Sequence, residues 1–263
     1  MNYLFVYLPK LTLALSGGDP FRAGWLYCSL VYFTLSRHLF ISLEQQEYHI
    51  HCVFNTKKFT YKIHQLSNVL SLIEIYVFKE YDWDCSFVPQ TILDLGANFG
   101  DTALYYTAIY PEAKIIAVEP EPSNFAHLQK NVASHSNIIP VQCAVGAENG
   151  SITLHLAENG LGHSTTLRRH NHGSVAVAQA TVSEILAQQS ITKVDLLKFD
   201  IEGAEAALFK DGTITHKARA LVGELHFDLN PELKMEDVTN SLQGLTTSIE
   251  PSSKKSRFIL KAM

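Results

Sequence analysis

The sequence predicts an α/β fold, an open and mostly parallel sheet with helices on both faces. Three observations carry that expectation. Residues 91–119 read as strand, glycine-bearing turn, helix and strand, which is a βαβ unit. Further apolar runs at 138–145, 194–199 and 220–225 are separated by stretches with helical spacing, the signature of a parallel sheet with crossover helices. At 263 residues and 46% hydrophobic content, the chain can bury one substantial core with an appended segment.

The elements follow in order. Residues 1–41 are apolar and aromatic, but the run at 4–8 is broken by Pro9-Lys10 and the run at 23–35 is shorter than a bilayer requires. The segment lacks the basic start and unbroken apolar core of a signal peptide. It suits a helical flap packed on the catalytic domain or on a second subunit of a homodimer, or a peripheral membrane contact with Lys10, Arg22 and Arg37 near the interface. Residues 48–54 and 58–63 alternate around Asn55-Thr56-Lys57 as a β-hairpin. Ser67 is positioned to cap a helix with Leu66, Val69, Leu70, Ile73 and Val77 on one face. A boundary near residue 86 divides an N-terminal cap of helices, hairpin and helix (1–85) from a ligand-binding domain (86–263).

Within that domain, Gly100-Asp101 opens a helix closing at Pro111, and residues 114–118 form the second strand. Ser123 starts the next helix, and 138–145 is the third parallel strand. Residues 151–156 and 174–180 are strands flanking a polar insert at 158–173. Thr181-Val182-Ser183-Glu184 is a capping box, 204–210 and 233–245 are helices, and 248–249 with 257–261 add an antiparallel edge.

A net charge of -5 gives no basic field, so nucleic acid is not the expected partner. Cys28, Cys52, Cys85 and Cys143 are isolated, as free thiols in a reducing, cytoplasmic setting would be.

The turn Asp94-x-Gly96-x-x-x-Gly100 differs from the G-x-G-x-x-G of a dinucleotide site, which argues against an NAD-linked oxidoreductase. Asp94 would repel a pyrophosphate but orient an ammonium group, and Glu119 at the next strand tip can grip two ribose hydroxyls. An amino-acid-bearing nucleoside, S-adenosylmethionine, satisfies both. Open α/β sheets bind ligands at the carboxyl ends of their strands, and there stand Asp94, Glu119, Asp200, Glu202, Glu224 and His226. Strand alternation puts Lys198 and Asp200 on one face, Glu202-Gly203 turns into a helix, and Glu205 favours its first turn through the dipole.

Ile92-Leu93-Asp94-Leu95-Gly96-Ala97-Asn98-Phe99-Gly100, Val118-Glu119-Pro120, Lys198-Phe199-Asp200-Ile201-Glu202-Gly203-Ala204-Glu205 and Gly223-Glu224-Leu225-His226 resemble the FkbM family of S-adenosylmethionine-dependent methyltransferases. The resemblance runs through most of 61–227, and Glu80-Tyr81 shares it. It implies a Rossmann-like class I methyltransferase fold with seven strands, and methylation of a hydroxyl on a sugar or small-molecule natural product. Carried onto this chain, Asp94, Gly96, Asn98 and Gly100 hold the methionine part, Glu119-Pro120 the ribose and Ala144-Val145 the adenine.

The transfer is an in-line displacement that needs alignment and a base. Candidates for that base are His226, Asp200 and Glu202, with His226 first because its ordinary pKa suits proton removal near neutrality. Lys198 would lower the acceptor's pKa or pair with a carboxylate. Asp200, Glu224 and His226 could instead converge on a divalent cation such as magnesium. The competing readings are an N-methyltransferase and a non-catalytic nucleoside-binding module of the same fold.

Overall fold

The computed structural model describes residues 2–39, 47–82, 86–157, 171–210, 214–230, 232–252 and 257–263. The 158–173 insert therefore lies largely outside the described residues, as does Cys85, and the expected boundary near 86 adjoins the undescribed 83–85.

Two helices, α1 (Asn2–Ala14) and α2 (Pro20–Leu39), precede the hairpin of β1 (Tyr48–Phe54) and β2 (Lys57–Ile63) and the helix α3 (Leu66–Tyr76). Pro9 sits inside α1 rather than ending it. Leu4, Leu8, Leu11 and Leu15, spaced by three and four, bury one face of α1, and Leu26, Leu30 and Phe33 bury one face of α2. Their opposite faces keep Val6, Leu13, Phe21, Trp25 and Tyr32 exposed, yet no described helix is long and apolar enough to cross a membrane. The hairpin turns on Asn55 and Thr56, both left-handed, so Lys57 belongs to the strand. Ser67 does not cap α3. The N-cap is Gln65, and Asn68 in the first turn reaches back to it, its Oδ1 accepting from the backbone N–H of His64 and Gln65.

The organising unit is β3 (Thr91–Leu95), α4 (Asp101–Ile109) and β4 (Lys114–Val118). Next come α5 (Pro122–Val132) and β5 (Ile138–Val141). α5 starts at Pro122, one residue before the expected Ser123, and Glu121 caps it, its carboxylate accepting from Ser123 and Asn124 N–H. The expected strand over 138–145 is split. β5 stays in the main sheet, while β6 (Ala144–Val145) leaves it to pair with β8 (Asn171–Ala180), which also pairs with β7 (Gly150–Ala157) in a separate three-stranded sheet.

The rest is α6 (Val182–Gln188), capped by Thr181 Oγ1, then β9 (Val194–Phe199), α7 (Ala206–Phe209), α8 (Ile214–Lys217) and β10 (Ala218–His226). Helix α9 (Met235–Ser241) and strands β11 (Thr247–Pro251) and β12 (Arg257–Ala262) end the chain.

The main sheet has seven strands in the order β11-β12-β10-β9-β3-β4-β5. β10, β9, β3, β4 and β5 are parallel, and β12 and β11 add the antiparallel edge expected from the sequence. The central strands are buried on both faces, which is why they read as unbroken apolar runs. Sequence order reverses direction across the sheet between β3 and β9, so the crevice forms at their carboxyl ends.

Candidate active site

The β3–α4 turn reaches the top of the sheet through residues with left-handed backbones: Gly96 (φ 78), Asn98 (φ 47) and Gly100 (φ 91). Gly96 and Ala97 both donate N–H to the Val118 carbonyl at 2.9 Å, which locks the turn to the end of β4. A Cβ on Gly96 would run into the Asp200 carbonyl oxygen, and one on Gly100 would press on Leu128 and Val132 of α5. Both glycines thus permit close internal packing, the first between the two strand tips that flank the crevice.

Glu119 follows β4 and is 5% exposed. Its Oε2 accepts from Asn98 N–H at 2.9 Å and its Oε1 from Glu121 N–H at 3.0 Å. Burial raises its pKa to about 7 against the pull of those two backbone donors. The Asn98 side-chain oxygen is buried without a hydrogen-bond partner. A strained turn, an orphaned amide oxygen and a carboxylate held at the next strand tip fit the ribose and methionine ends of S-adenosylmethionine. Pro120 is half-buried beside Glu119. Ala144 and Val145 are buried, and the next residues, Gly146 and Ala147, line a cavity of about 220 Å³ with Thr181, Val182 and Leu208.

Asp94 and Lys198 lie underneath the turn. Asp94 is fully buried and Lys198 Nζ stands 3.0 Å from its Oδ1. Lys198 also donates to the Gly96 carbonyl at 2.8 Å and the Leu95 carbonyl at 3.4 Å, and covers the Tyr81 ring at 5.0 Å. Burial pushes the Asp94 carboxyl up and Lys198 pulls it back. The expectation that Asp94 meets a ligand's ammonium group gives way here, because its charge is spent on Lys198 inside the protein. Lys198 holds the turn by its carbonyls and is a positioning residue.

Past β9, Asp200 donates its backbone N–H to Leu95 O at 2.9 Å, and its Oδ2 accepts from the Tyr81 hydroxyl at 2.8 Å. Glu202 has a left-handed backbone (φ 49) followed by Gly203 (φ 100), whose carbonyl accepts from Asn230 at 2.7 Å. His226, at the end of β10, has no exposed side-chain surface. Its Nδ1 lies 2.6 Å from Glu205 Oε1. Its Nε2 faces Glu224 Oε2 at 3.3 Å, Asp200 Oδ1 at 3.4 Å and Glu202 Oε2 at 3.6 Å.

Burial opposes charge on His226, but Glu205, Glu224 and Glu202 outweigh it and raise its pKa well above the ordinary value. This removes the ground for ranking His226 first as base, since an imidazole already holding its proton cannot accept another. Asp200 and Glu202, each partly exposed, are better placed for that role.

The expected set Asp200, Glu202, Glu224 and His226 is therefore brought together in one cluster. Glu205, read from sequence as a helix-dipole residue, is instead the fully buried partner of His226. Sequence reasoning also missed Arg257, which approaches Glu202 at 3.6 Å, Glu224 at 3.7 Å and Asp228 at 3.7 Å, and Ser252, which donates to Glu224 Oε1 at 3.0 Å. Arg257 opens β12 and Ser252 directly follows β11, where nothing in the local pattern marks them. Tyr81 had a signal in the Glu80-Tyr81 pair that shares the family resemblance.

The Methyltransferase FkbM domain model matches residues 94–245, more than half of the chain, and takes in Asp94, the glycine turn and His226. Methyltransferase 1 of Beauveria bassiana is 32% identical over 154 residues, covering 50% of this chain and 62% of that protein. Hexuronic acid methyltransferase AglP of Haloferax volcanii is 25% identical, covering 65% of this chain and 70% of the relative. The 2-O-methyltransferase NoeI of Sinorhizobium fredii is 26% identical, covering 47% and 58%. The chain thus spans under two thirds of the Beauveria and Sinorhizobium proteins. With its seven-stranded sheet, glycine turn and strand-end carboxylates, the chain belongs to the FkbM family of S-adenosylmethionine-dependent methyltransferases and has the Rossmann-like class I fold.

Proposed function

We propose that this protein is an O-methyltransferase acting on a hydroxyl of a sugar or other small-molecule natural product, in the cytoplasm. The observation that carries the reading is the convergence of two separate groups at adjoining strand tips. The Gly96–Glu119 cradle fits the cofactor, and the Asp200–Glu202–His226 cluster fits a hydroxyl that must lose its proton. The names of the AglP and NoeI relatives support a sugar hydroxyl as acceptor. Cys28, Cys52 and Cys143 are free, which suits a reducing compartment.

S-adenosylmethionine supplies an electrophilic methyl group on a sulfonium. Glu119 and the Asn98 amide would grip its polar ends, while Lys198, holding Gly96 and Leu95 by their carbonyls, keeps that cradle fixed. Asp200, oriented by Tyr81, and Glu202 face the crevice and can draw the proton from the acceptor oxygen. A pocket that pre-aligns acceptor and methyl needs no covalent intermediate.

The test is calorimetric titration with S-adenosylmethionine and S-adenosylhomocysteine, followed by radiolabelled methyl transfer to hexuronic acids and simple glycosides. Binding of both nucleosides with transfer to oxygen is the expected result. Binding with no turnover on any hydroxyl or amine acceptor would favour the nucleoside-binding module, and transfer to amines alone would replace O- by N-methylation.

A further inference from the structure

We infer that His226, Asp200 and Glu202 form a binding site for one divalent first-row cation of the manganese class, beside the place the acceptor hydroxyl occupies. The three side chains each offer a ligand atom, and these atoms lie within 4.8 Å of one another.

Distance is the first argument. A good N–H···O bond spans about 2.7–3.2 Å, whereas His226 Nε2 stands 3.4 Å from Asp200 Oδ1 and 3.6 Å from Glu202 Oε2. Nε2 is buried and makes no hydrogen bond. Two donor atoms about 2.2–2.4 Å from a shared ion, at right angles, stand about 3.1–3.4 Å apart. The two separations from His226 are close to one edge length of such a cage.

Orientation is the second. Glu205 Oε1 at 2.6 Å fixes the His226 proton on Nδ1. A bound cation would displace the proton that the surrounding carboxylates otherwise keep on Nε2, and the freed lone pair would complete the carboxylate–histidine–metal arrangement in which an outer carboxylate sets the tautomer. Glu202 reaches the same point from a left-handed backbone at φ 49, a conformation unfavourable for a residue with a Cβ unless its surroundings enforce it.

The donor set selects the ion. Carboxylates alone suit magnesium, the ion expected from the sequence, but an imidazole ligand shifts preference toward manganese, iron or zinc. Glu202 replaces Glu224 in the expected ligand set. Glu224 has no exposed side-chain surface and its Oε1 is held by Ser252, whereas Glu202 is partly exposed; Arg257 stands near both carboxylates, at 3.7 Å and 3.6 Å.

Resting on the O-methylation reading, the ion's open positions would accept the acceptor oxygen and lower its pKa. With the ion bound, Asp200 and Glu202 serve as its ligands in place of acting as bases, so the proton leaves to water, the oxygen attacks the methyl carbon, and the carbon–sulfur bond breaks with its electron pair kept by sulfur.

The full chain, freed of metal by chelation, is titrated with Mn²⁺ by calorimetry, and the bound ion is followed by electron paramagnetic resonance. One saturable site per chain is expected, with affinity reduced about tenfold or more in Asp200→Asn and in Glu202→Gln. The second variant lies on a partly exposed turn and guards against a misfolded first. Absence of saturable binding, or equal affinity in wild type and both variants, overturns the site. S-adenosylmethionine is titrated in parallel. Cofactor binding without Mn²⁺ binding refutes the cation site alone, whereas Mn²⁺ binding without cofactor binding refutes the methyltransferase pocket and leaves the cation site standing.

Discussion

Replacing Lys198 by Met would remove the only charge the structure places within ion-pair distance of the buried Asp94, among the described residues. The methionine fills similar space, so the loss is mainly electrostatic. Asp94 must then either stay ionised without a partner or take up a proton. A carboxyl that ordinarily titrates near 3.9 costs about 4 kcal/mol to hold protonated at pH 7 and about 2 kcal/mol at pH 5.5. The first figure agrees with the ~3–5 kcal/mol expected when one partner of a buried pair is deleted. The sign follows from linkage: in Lys198→Met the folded pKa of Asp94 lies above its unfolded value. Its contribution is complete at low pH and lost as pH rises, so the variant's deficit grows from pH 5.5 to 7. Equilibrium urea unfolding at both pH values measures this. Lys198→Met/Asp94→Asn should regain most of the loss at pH 7, because no buried charge is then left unpaired. A deficit under about 1 kcal/mol that does not change with pH, or a double variant no better than the single, would refute the claim that this pair supports the cofactor turn.

Glu119 titrates near pH 7 in the folded chain because it is buried. Its folded pKa exceeds its unfolded one, so its contribution to stability is complete below about 4.5 and lost, by about 3 kcal/mol, as pH rises through 7. Glu119→Gln should flatten that part of the stability–pH curve, and urea midpoints from pH 5 to 8 would show whether it does. The same variant should weaken S-adenosylmethionine binding by about 1–3 kcal/mol at pH 8, and unchanged calorimetric affinity would remove Glu119 from the ribose contact. Gly96→Ala places a Cβ against the Asp200 carbonyl from a left-handed backbone, so thermal unfolding should reveal a loss of about 1–3 kcal/mol together with cofactor binding. A variant as stable as wild type would mean the two strand tips are not in contact. Tyr81→Phe deletes the donor to Asp200 Oδ2 and should lower kcat by up to about tenfold, near 1 kcal/mol, while cofactor affinity stays constant. A normal kcat would show that Asp200 needs no such orientation.

The parallel strands were readable because burial on both faces removes the polar alternation, leaving runs such as Val194–Phe199 that coincide with the observed β9. The edge pair β11 and β12 was readable from short alternating runs at the end of the chain. Less legible were elements set by tertiary contact. Residues 138–145 look like one strand, but Ala144 and Val145 pair with β8, which local sequence does not encode. The cap expected at Ser67 was misplaced because the side chain that bonds the free N–H groups at a helix start depends on the incoming chain; there the N-cap is Gln65 and Asn68 reaches back to it. In the site, strand-end position pointed to His226 and to Asp200, Glu202 and Glu224, whose carboxylates the fold brings within 3.6 Å of the His226 ring. It could not tell that Asp94 and Lys198 neutralise each other beneath the turn, or that Glu205 folds back onto His226. These are pairings across 21 to 104 residues of chain, and no periodicity reports them.

The contact between Gly96 and the Asp200 carbonyl has a consequence for how such a chain can diversify. The two tips that frame the crevice are laced by Asp200 N–H to Leu95 O, by Lys198 to the Gly96 carbonyl, and by a spacing that admits no Cβ. A shift on the acceptor side would drag the cofactor side with it, so neither tip can be remodelled alone to suit a new acceptor. Variation is easier to accommodate on the outer helices of the N-terminal segment, α1 and α2, which make none of the contacts that lace the two tips.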